Sequence, residues 1–487
     1  MKKSFYWHDY ETFGIIPGKD RASQFAGIRT DEDLNIIADP QVFYCQPADD
    51  FLPQPEACLV TGITPQHALE HGVPEYQFFK QIHEQLSLAN TCTVGYNNIR
   101  FDDEFTRFGF YRNFYDPYAR EWQNGNSRWD LIDMIRMTAA LRPDGINWPI
   151  NEKNRISFRL EKLTQANNIS HQDAHDALSD VHATIAMAKL IKTKQPKLYD
   201  FCLKLRNKHK VTDIIKLTNP TPFLHVSGMY AAEHGHCALV LPIMAHPSNK
   251  NGIIVYDLRY PIDNLLNFSS EQIKQCLYTK SEELKQLGLE RIALKTIHIN
   301  KCPSIAPIST LSEEAQERLN IDINQQKELG AELLNILTSR QEKYNLLIQK
   351  LNDVYTEDRQ NNSVKHDVDH ALYSGGFFDN RDKDKMNKIV NTSENNIINL
   401  NYSFNDPRLD ELLFRYKARN FKHLLSSTDL ARWNSYRIKR MTDKDENASI
   451  TFDEFQLKIR QMLENETEQK NIEVLNDLNA YASQLVI

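Results

Sequence analysis

The chain of 487 residues has only seven cysteines, at positions 45, 58, 92, 202, 237, 276 and 302, and no two of them form a CxxC pair. An odd, scattered set argues against both a disulfide framework and a zinc site, and points to reduced thiols. Long apolar runs are also missing. The longest after the N-terminal region, Cys237 to Ala245, is far too short to span a bilayer and contains Pro242. Lys2 and Lys3 could open a signal peptide, but His8, Asp9 and Glu11 interrupt any apolar stretch behind them. The expectation is a cytoplasmic protein without a membrane partner. No internal repeat is visible. A net charge of −7 excludes a surface coated in positive charge, although local basic clusters can still meet a polyanion. One such cluster exists: between Lys189 and Lys216 lie nine Lys/Arg against Asp200 and Asp213. It reads either as a solvated helix face or as a phosphate-binding stretch.

An apolar fraction of 41% and a charged fraction of 25% are those of a soluble globular protein. The length exceeds one ordinary core and predicts two or three domains. Strand-like and helix-like segments alternate over the first two hundred residues, the pattern of an α/β domain. FYWHDYETFG predicts a strand, and QFAGIRTDEDLNIIADPQVFYC a hairpin. Thr64-Pro65 opens a helix, and YQFFKQIHEQLSLA is amphipathic, with Phe78, Ile82, Leu86 and Ala89 on one face. WDLIDMIRMTAALRP predicts a helix stopped by Pro143, and DALSDVHATIAMAKLIKTKQP a long helix ending near Pro196. Beyond residue 200, short β-like runs broken by Pro and Gly predict a small β-rich domain. Residues 310 to 355 read as helical, the polar stretch 356 to 370 as a boundary, and the remainder as helical. The predicted domains are 1–198, 199–355 and 356–487.

Within the first strand, Asp9 and Glu11 stand two residues apart, so both project to one face while Tyr10 is buried on the other. Two close carboxylates repel unless a cation lies between them, and hard divalent ions favour such oxygen sites. The plain alternative is ordinary surface charge. GYNNIRFDDE places Asp102 and Asp103 just beyond a strand, at the opening of a helix, where open α/β sheets keep their sites. Asp102 is equally placed to cap that helix. AHDALSD sets His175 five residues before Asp180, with His175 on the lead-in loop and Asp180 on the first turns of the long helix.

That order, Asp-x-Glu, then Asp, then His-x4-Asp, resembles the histidine-bearing subclass of the DEDD superfamily of 3′–5′ exonucleases. HDYETFG, TGITPQ, GYNNIRFDDE, FYRNFYDPY, NSRWDLIDMIR, SFRLEKLTQAN, AHDALSDVHATIAMAKLIKTKQP, HVSGM, HINKCP, GGFF and LLFRYKARNF together are similar to the bacterial exonuclease I family over nearly the whole chain. The resemblance implies an α/β ribonuclease-H-like exonuclease domain, an SH3-like β-rich domain and a C-terminal helical domain. It implies a processive, monomeric enzyme that degrades single-stranded DNA from its 3′ end to 5′ mononucleotides, in DNA repair. It implies two magnesium ions, replaceable by manganese, held by Asp9, Glu11, Asp102 and Asp180, with His175 as general base.

For the DNA path the resemblance favours Arg107, Tyr118, Trp122, Arg142 and Arg159, with Arg159 beside Glu11 at the terminal phosphodiester. Arg136 belongs to the same basic and aromatic segment, in which Tyr115 and Trp129 read equally well as core. Lys208, Asn251 and Lys295 are placed along the channel. The family also binds the acidic, Phe-ended tail of single-stranded DNA-binding protein, for which Arg415, Lys417, Arg419, Arg437 and Arg440 supply cations. Two alternatives stand beside this reading: an RNA-trimming enzyme of the same superfamily, and a catalytically dead strand-binding module. The chain's length argues against the first, its complete set of acidic positions against the second.

Overall fold

A computed structural model of the chain describes residues 2–171, 176–339, 341–356, 367–446 and 448–485. Its order begins β1 (Ser4–Thr12), β2 (Ala22–Thr30), β3 (Gln41–Tyr44), α1 (Pro55–Thr61), α2 (Pro65–His71), α3 (Glu75–Leu86), β4 (Thr91–Gly95), α4 (Asp102–Arg112) and β5 (Ser127–Asp130). Then come α5 (Leu131–Leu141), α6 (Leu160–Ala166), α7 (Ala177–Lys194), α8 (Pro196–Lys204) and α9 (Lys208–Ile214). The chain divides into two compact units, Met1–Arg128 with Ser170–Ile185 and Asn362–Ile487, and Trp129–Ile169 with Ala186–Asn361.

The first unit is built on a five-stranded sheet in the order β3-β2-β1-β4-β5. β1 is central and carries Phe5, Tyr6, Trp7 and Tyr10, each no more than 3% exposed. A strand flanked on both sides and covered on both faces needs such an apolar run. β2 runs antiparallel to β1, with Asp9 opposite Ala26 and Glu11 opposite Gln24. β4 runs parallel to β1, Trp7 pairing with Val94. Asp9 and Glu11 therefore lie past the last β4 partner, at the carboxyl end of the parallel pair. Tyr10 turns the other way, into a core with Tyr6, Phe25, Phe78 and Ile82. α3 buries Phe78, Phe79, Ile82 and Leu86, and α4 lies close against it: a Cβ on Gly109 would sit 1.9 Å from the Phe79 ring. The absence of that side chain fixes the seat of α4 and, with it, Asp102.

The predicted helix over WDLIDMIRMTAALRP is shorter than expected. Its first residues finish β5, and α5 begins only at Leu131, where the Asp130 side chain accepts from the Ile132 N–H. An N-cap aspartate marks that boundary physically, because it satisfies a donor that the first turn leaves open.

The last helices, among them Asn380–Val390, Arg408–Asn420, Ser427–Thr442, Phe452–Asn465 and Gln469–Leu485, belong to the first unit. They share its cores: Phe13, Phe51 and Cys58 pack with Phe455, Leu475 and Leu478, and Phe108, Tyr111 and Phe114 with Leu409, Leu412 and Tyr416. A buried charge cluster joins the same parts. Arg419 bonds Asp50 at 2.7 Å and Asp369 at 2.9 Å, and Arg440 bonds Asp50 at 2.9 Å and Asp369 at 3.0 Å. Arg415 reaches Asp369 at 3.3 Å and Arg21 reaches it at 3.5 Å.

The second unit holds a five-stranded antiparallel sheet, β10-β6-β7-β8-β9, from β6 (Phe223–Val226), β7 (Cys237–Ala245), β8 (Gly252–Asp257), β9 (Leu294–His298) and β10 (Ser304–Pro307). Pro242 lies in β7, and the register with β8 shifts between Pro242 and Met244. A residue without an N–H disrupts the ladder in this way. Three short helices, Asp263–Asn267, Ser270–Tyr278 and Ser281–Gln286, separate β8 from β9 and were not expected from the sequence pattern. Helices Glu313–Leu319, Ile323–Ser339 and Glu342–Tyr355 fill the expected helical stretch. Among the described residues no helix is long and apolar enough to cross a membrane.

Candidate active site

Asp9 and Glu11 on β1 and Asp180 on the first turn of α7 come together. One carboxylate oxygen from each lies within 4.8 Å of the others. Asp102, the first residue of α4, stands outside that trio; its Oδ1 accepts the Tyr10 N–H at 3.0 Å, and the residue is 3% exposed. Burial first, then the charges of Asp102, Glu11 and Asp180, push the Asp9 carboxyl well above the usual range. Burial, then Asp180, Asp102 and Asp176, push Glu11 up to about 9. Such a cluster either holds protons or neutralises itself around a cation. An all-carboxylate donor set is hard, and it fits a divalent cation.

Asp103 does different work from its neighbour. Its carboxylate lies between Arg120 at 2.5 Å and Arg128 at 2.8 Å, fully buried, which binds the start of α4 to the segment leading into β5. Burial opposes its charge, but Arg120 and Arg128 hold the carboxyl well below its ordinary value.

Three further residues stand near the site. His171 Nε2 lies 2.6 Å from Asp180 Oδ1. Asp176 caps the first turn of α7 by accepting from the Ser179 N–H at 3.1 Å. Gln24 on β2 donates to Asp176 at 3.3 Å and accepts the Ala177 N–H at 3.2 Å. AHDALSD contained Asp176, but only the fold brings Gln24 to it. His175 lies outside the described residues.

The residues proposed for the DNA path are in varied settings. Trp122 is 66% exposed. Tyr118 meets the Phe377 ring edge-on at 5.6 Å, and Phe377 itself is 85% exposed beside the Gly375–Gly376 pair. Tyr118, Phe377, Phe378, Lys383 and Arg408 line a cavity of about 230 Å³. Arg107 is committed elsewhere: it bonds Glu121 at 2.8 and 3.0 Å and Glu104 at 2.6 Å. Tyr115 stacks on His83 at 4.3 Å, and Trp129 is buried against Tyr199.

In the second unit, Arg159 is exposed at the start of α6, and Lys208 is exposed at the start of α9. Arg136 pairs with Asp133 at 2.6 Å and lies over Phe158. Arg142 donates to the carbonyls of Leu141 and Thr310 at 2.5 and 3.0 Å. Asn251 is half-buried with its N–H on Asn249, and the Lys295 ammonium sits 4.0 Å from the centre of the Tyr230 ring.

The basic rim expected for an acidic tail does not form where the sequence placed it. Arg415, Arg437 and Arg440 are 5, 8 and 2% exposed. Arg419 is buried in the charge cluster, and Lys417 donates to the Ile398 and Leu400 carbonyls. Of these cations, Arg419 and Arg440 tie their helices to Asp50, in the segment between β3 and α1. An apolar cavity of about 510 Å³ lies instead in the second unit, between Met137, Leu141, Leu198, Phe201 and Ala306, with Arg142 and Lys197 beside it.

Family comparisons assign three successive segments of the chain. A family profile described as Exonuclease matches residues 6–188, one described as Exonuclease I SH3-like domain matches 206–357, and one described as Exonuclease I C-terminal domain matches 366–485. Exodeoxyribonuclease I of Haemophilus influenzae is 43% identical over 484 residues, covering 99% of both chains. That of Escherichia coli is 44% identical over 486 residues, covering 100% of this chain and 99% of its own. Among solved structures, a moderately thermophilic exonuclease I from Methylocaldum szegediense superposes with a TM-score of 0.92 at 44% identity, covering 100% of both chains. Exonuclease I of E. coli in complex with a dA16 oligonucleotide gives 0.91 at 42%, and an exonuclease I complex with the SSB C-terminus gives 0.90 at 41%, again over 100% of each chain. With three profiles in register and relatives matched end to end, the chain belongs to the exonuclease I family.

Proposed function

We propose that this chain is a 3′–5′ exodeoxyribonuclease that hydrolyses single-stranded DNA to 5′ mononucleotides in DNA repair, as a monomer in the cytoplasm. The observation that carries the reading is the convergence of Asp9, Glu11 and Asp180 within 4.8 Å, from two elements far apart in sequence. Asp9, Glu11 and Asp180 would hold one divalent cation, and Asp9 with Asp102 a second. Magnesium is the natural occupant and manganese its substitute. Bound there, the ions supply positive charge against the phosphodiester and lower the pKa of water. His175 takes the proton of the attacking water, and Arg159 holds the terminal phosphodiester. Exposed Trp122 and the Tyr118–Phe377 pair offer flat faces to bases without reading their sequence.

The test is digestion of end-labelled single-stranded DNA, with magnesium and with chelator, beside matched RNA and duplex. Stepwise loss from the 3′ end of the DNA alone, abolished by chelator, is expected. Equal turnover of RNA would favour a superfamily member that trims RNA. No metal-dependent cleavage would leave a strand-binding module. His175→Ala should lower the rate at least about a hundredfold while leaving DNA binding intact, as loss of a general base does.

The tail of single-stranded DNA-binding protein is the proposed protein partner, and the cavity beside Arg142 and Lys197 suits an acidic peptide ending in an aromatic residue. Lys197→Glu should weaken capture of a tail peptide and leave turnover of naked DNA unchanged. Unchanged peptide affinity would move the docking site elsewhere.

A further inference from the structure

α7 is held to the sheet at its first turn. Gln24 of β2 accepts the Ala177 N–H at 3.2 Å, donates to Asp176 Oδ1 at 3.3 Å and donates to the Tyr44 hydroxyl at 2.9 Å. These bonds fix the backbone beneath Asp180, but they leave its two side-chain torsions to be set by something else. The Asp180 carboxylate faces Asp9 and Glu11, which repel it. Asp180 also meets His171, whose Nε2 lies 2.6 Å from Asp180 Oδ1; the two side chains are 3 and 18% exposed. With Asp180 ionised around a cation, its carboxylate only accepts, and the His171 Nε2–H is the donor of this bond. A buried ring at that distance fixes where a carboxylate points, in the way that outer partners orient the ligands of a metal.

We infer that His171 is the positioning residue of the carboxylate cluster: it orients Asp180 for the cation and takes no part in proton transfer. The inference rests on the metal-site reading above. It separates the two histidines of SHQDAHD, assigning His171 to metal affinity and leaving His175 to the reaction.

The test is direct titration of the full chain with Mn²⁺ in the absence of DNA, read by electron paramagnetic resonance, for wild type, His171→Asn and His171→Gln. A glutamine amide reaches the place of Nε2 and an asparagine amide falls short of it. His171→Asn should bind Mn²⁺ about 10- to 100-fold more weakly, the usual loss for an outer partner, and His171→Gln should stay close to wild type. At saturating metal, His171→Asn should recover most of the wild-type kcat. Should His171→Asn fail to fold by circular dichroism, His171→Leu keeps the bulk without the donor and carries the same expectation. Wild-type Mn²⁺ affinity in the folded variant lacking the donor would overturn the inference, and so would a kcat that excess metal does not restore. Failure of the wild type itself to bind Mn²⁺ would instead remove the metal site.

Discussion

The backbone N–H of Tyr10 donates to Asp102 Oδ1 at 3.0 Å, so the residue between Asp9 and Glu11 is tied to the first residue of α4. The side chain therefore has two separable duties, a negative charge at the site and a brace between strand and helix. Asp102→Asn keeps an oxygen for the N–H and removes the charge; Asp102→Ala removes both. Both variants should lose metal-dependent cleavage. Only Asp102→Ala should also lose about 1–3 kcal/mol of stability, the cost of a stranded buried donor. Denaturant unfolding beside a cleavage assay reads the difference.

Asp369 sits at 0% exposure among Arg21, Arg415, Arg419 and Arg440. Removing one partner of a buried ion cluster strands the others, so Asp369→Ala should cost about 3–5 kcal/mol in denaturant unfolding. Burial pushes this carboxyl up, but Arg419 and Arg415 hold it well below its ordinary 3.8. A depressed carboxyl stabilises the fold above its unfolded pKa and loses that contribution as pH falls further. The Asp369 share of stability should therefore persist to about pH 4 and decline only below it.

His83 governs a different window. Its ring stacks on Tyr115 at 4.3 Å, and burial lowers its pKa from 6.5 to about 4. Between those values the unfolded chain takes up a proton that the folded one refuses, so stability falls as pH drops through that range. The slope is at most about 1.4 kcal/mol per pH unit. His83→Phe keeps the stack and should flatten the curve of unfolding midpoint against pH between 6.5 and 4. An unchanged slope would place the titrating group elsewhere.

Trp122 and Phe377 expose 66 and 85% of their surface. Each ring stacked on a base contributes about 1–3 kcal/mol to single-strand binding. Trp122→Ala and Phe377→Ala should each weaken oligonucleotide binding by that amount in fluorescence anisotropy, with kcat at saturating DNA near wild type.

Arg107 separates a DNA contact from a structural cation. Its guanidinium is bonded on both sides by Glu121 and Glu104. Arg107→Gln should lower the unfolding midpoint and leave the slope of log affinity against log salt unchanged. A phosphate contact would instead reduce that slope by roughly 0.7 on a single strand.

The amino-acid sequence determined the parts of this protein that local spacing controls. Asp9 and Glu11 share a face because alternate residues of a strand must, and Tyr10 is buried because it lies between them. The Thr64-Pro65 helix start and the stripe of Phe78, Ile82 and Leu86 follow from the same short-range periodicity. Only the tertiary structure decided which charges meet. Arg107, Arg415, Arg419 and Arg440 look like free cations in a string of letters, and Asp103 looks like the twin of Asp102. Their partners Glu121, Asp50, Asp369, Arg120 and Arg128 stand from fourteen to several hundred residues away along the chain. The same holds for His171 and Gln24, which reach the first turn of α7 from a neighbouring loop and a distant strand. A guanidinium or a carboxylate takes its role from the charge it is folded against, and that pairing is fixed by the packing of whole elements, which residue spacing does not record.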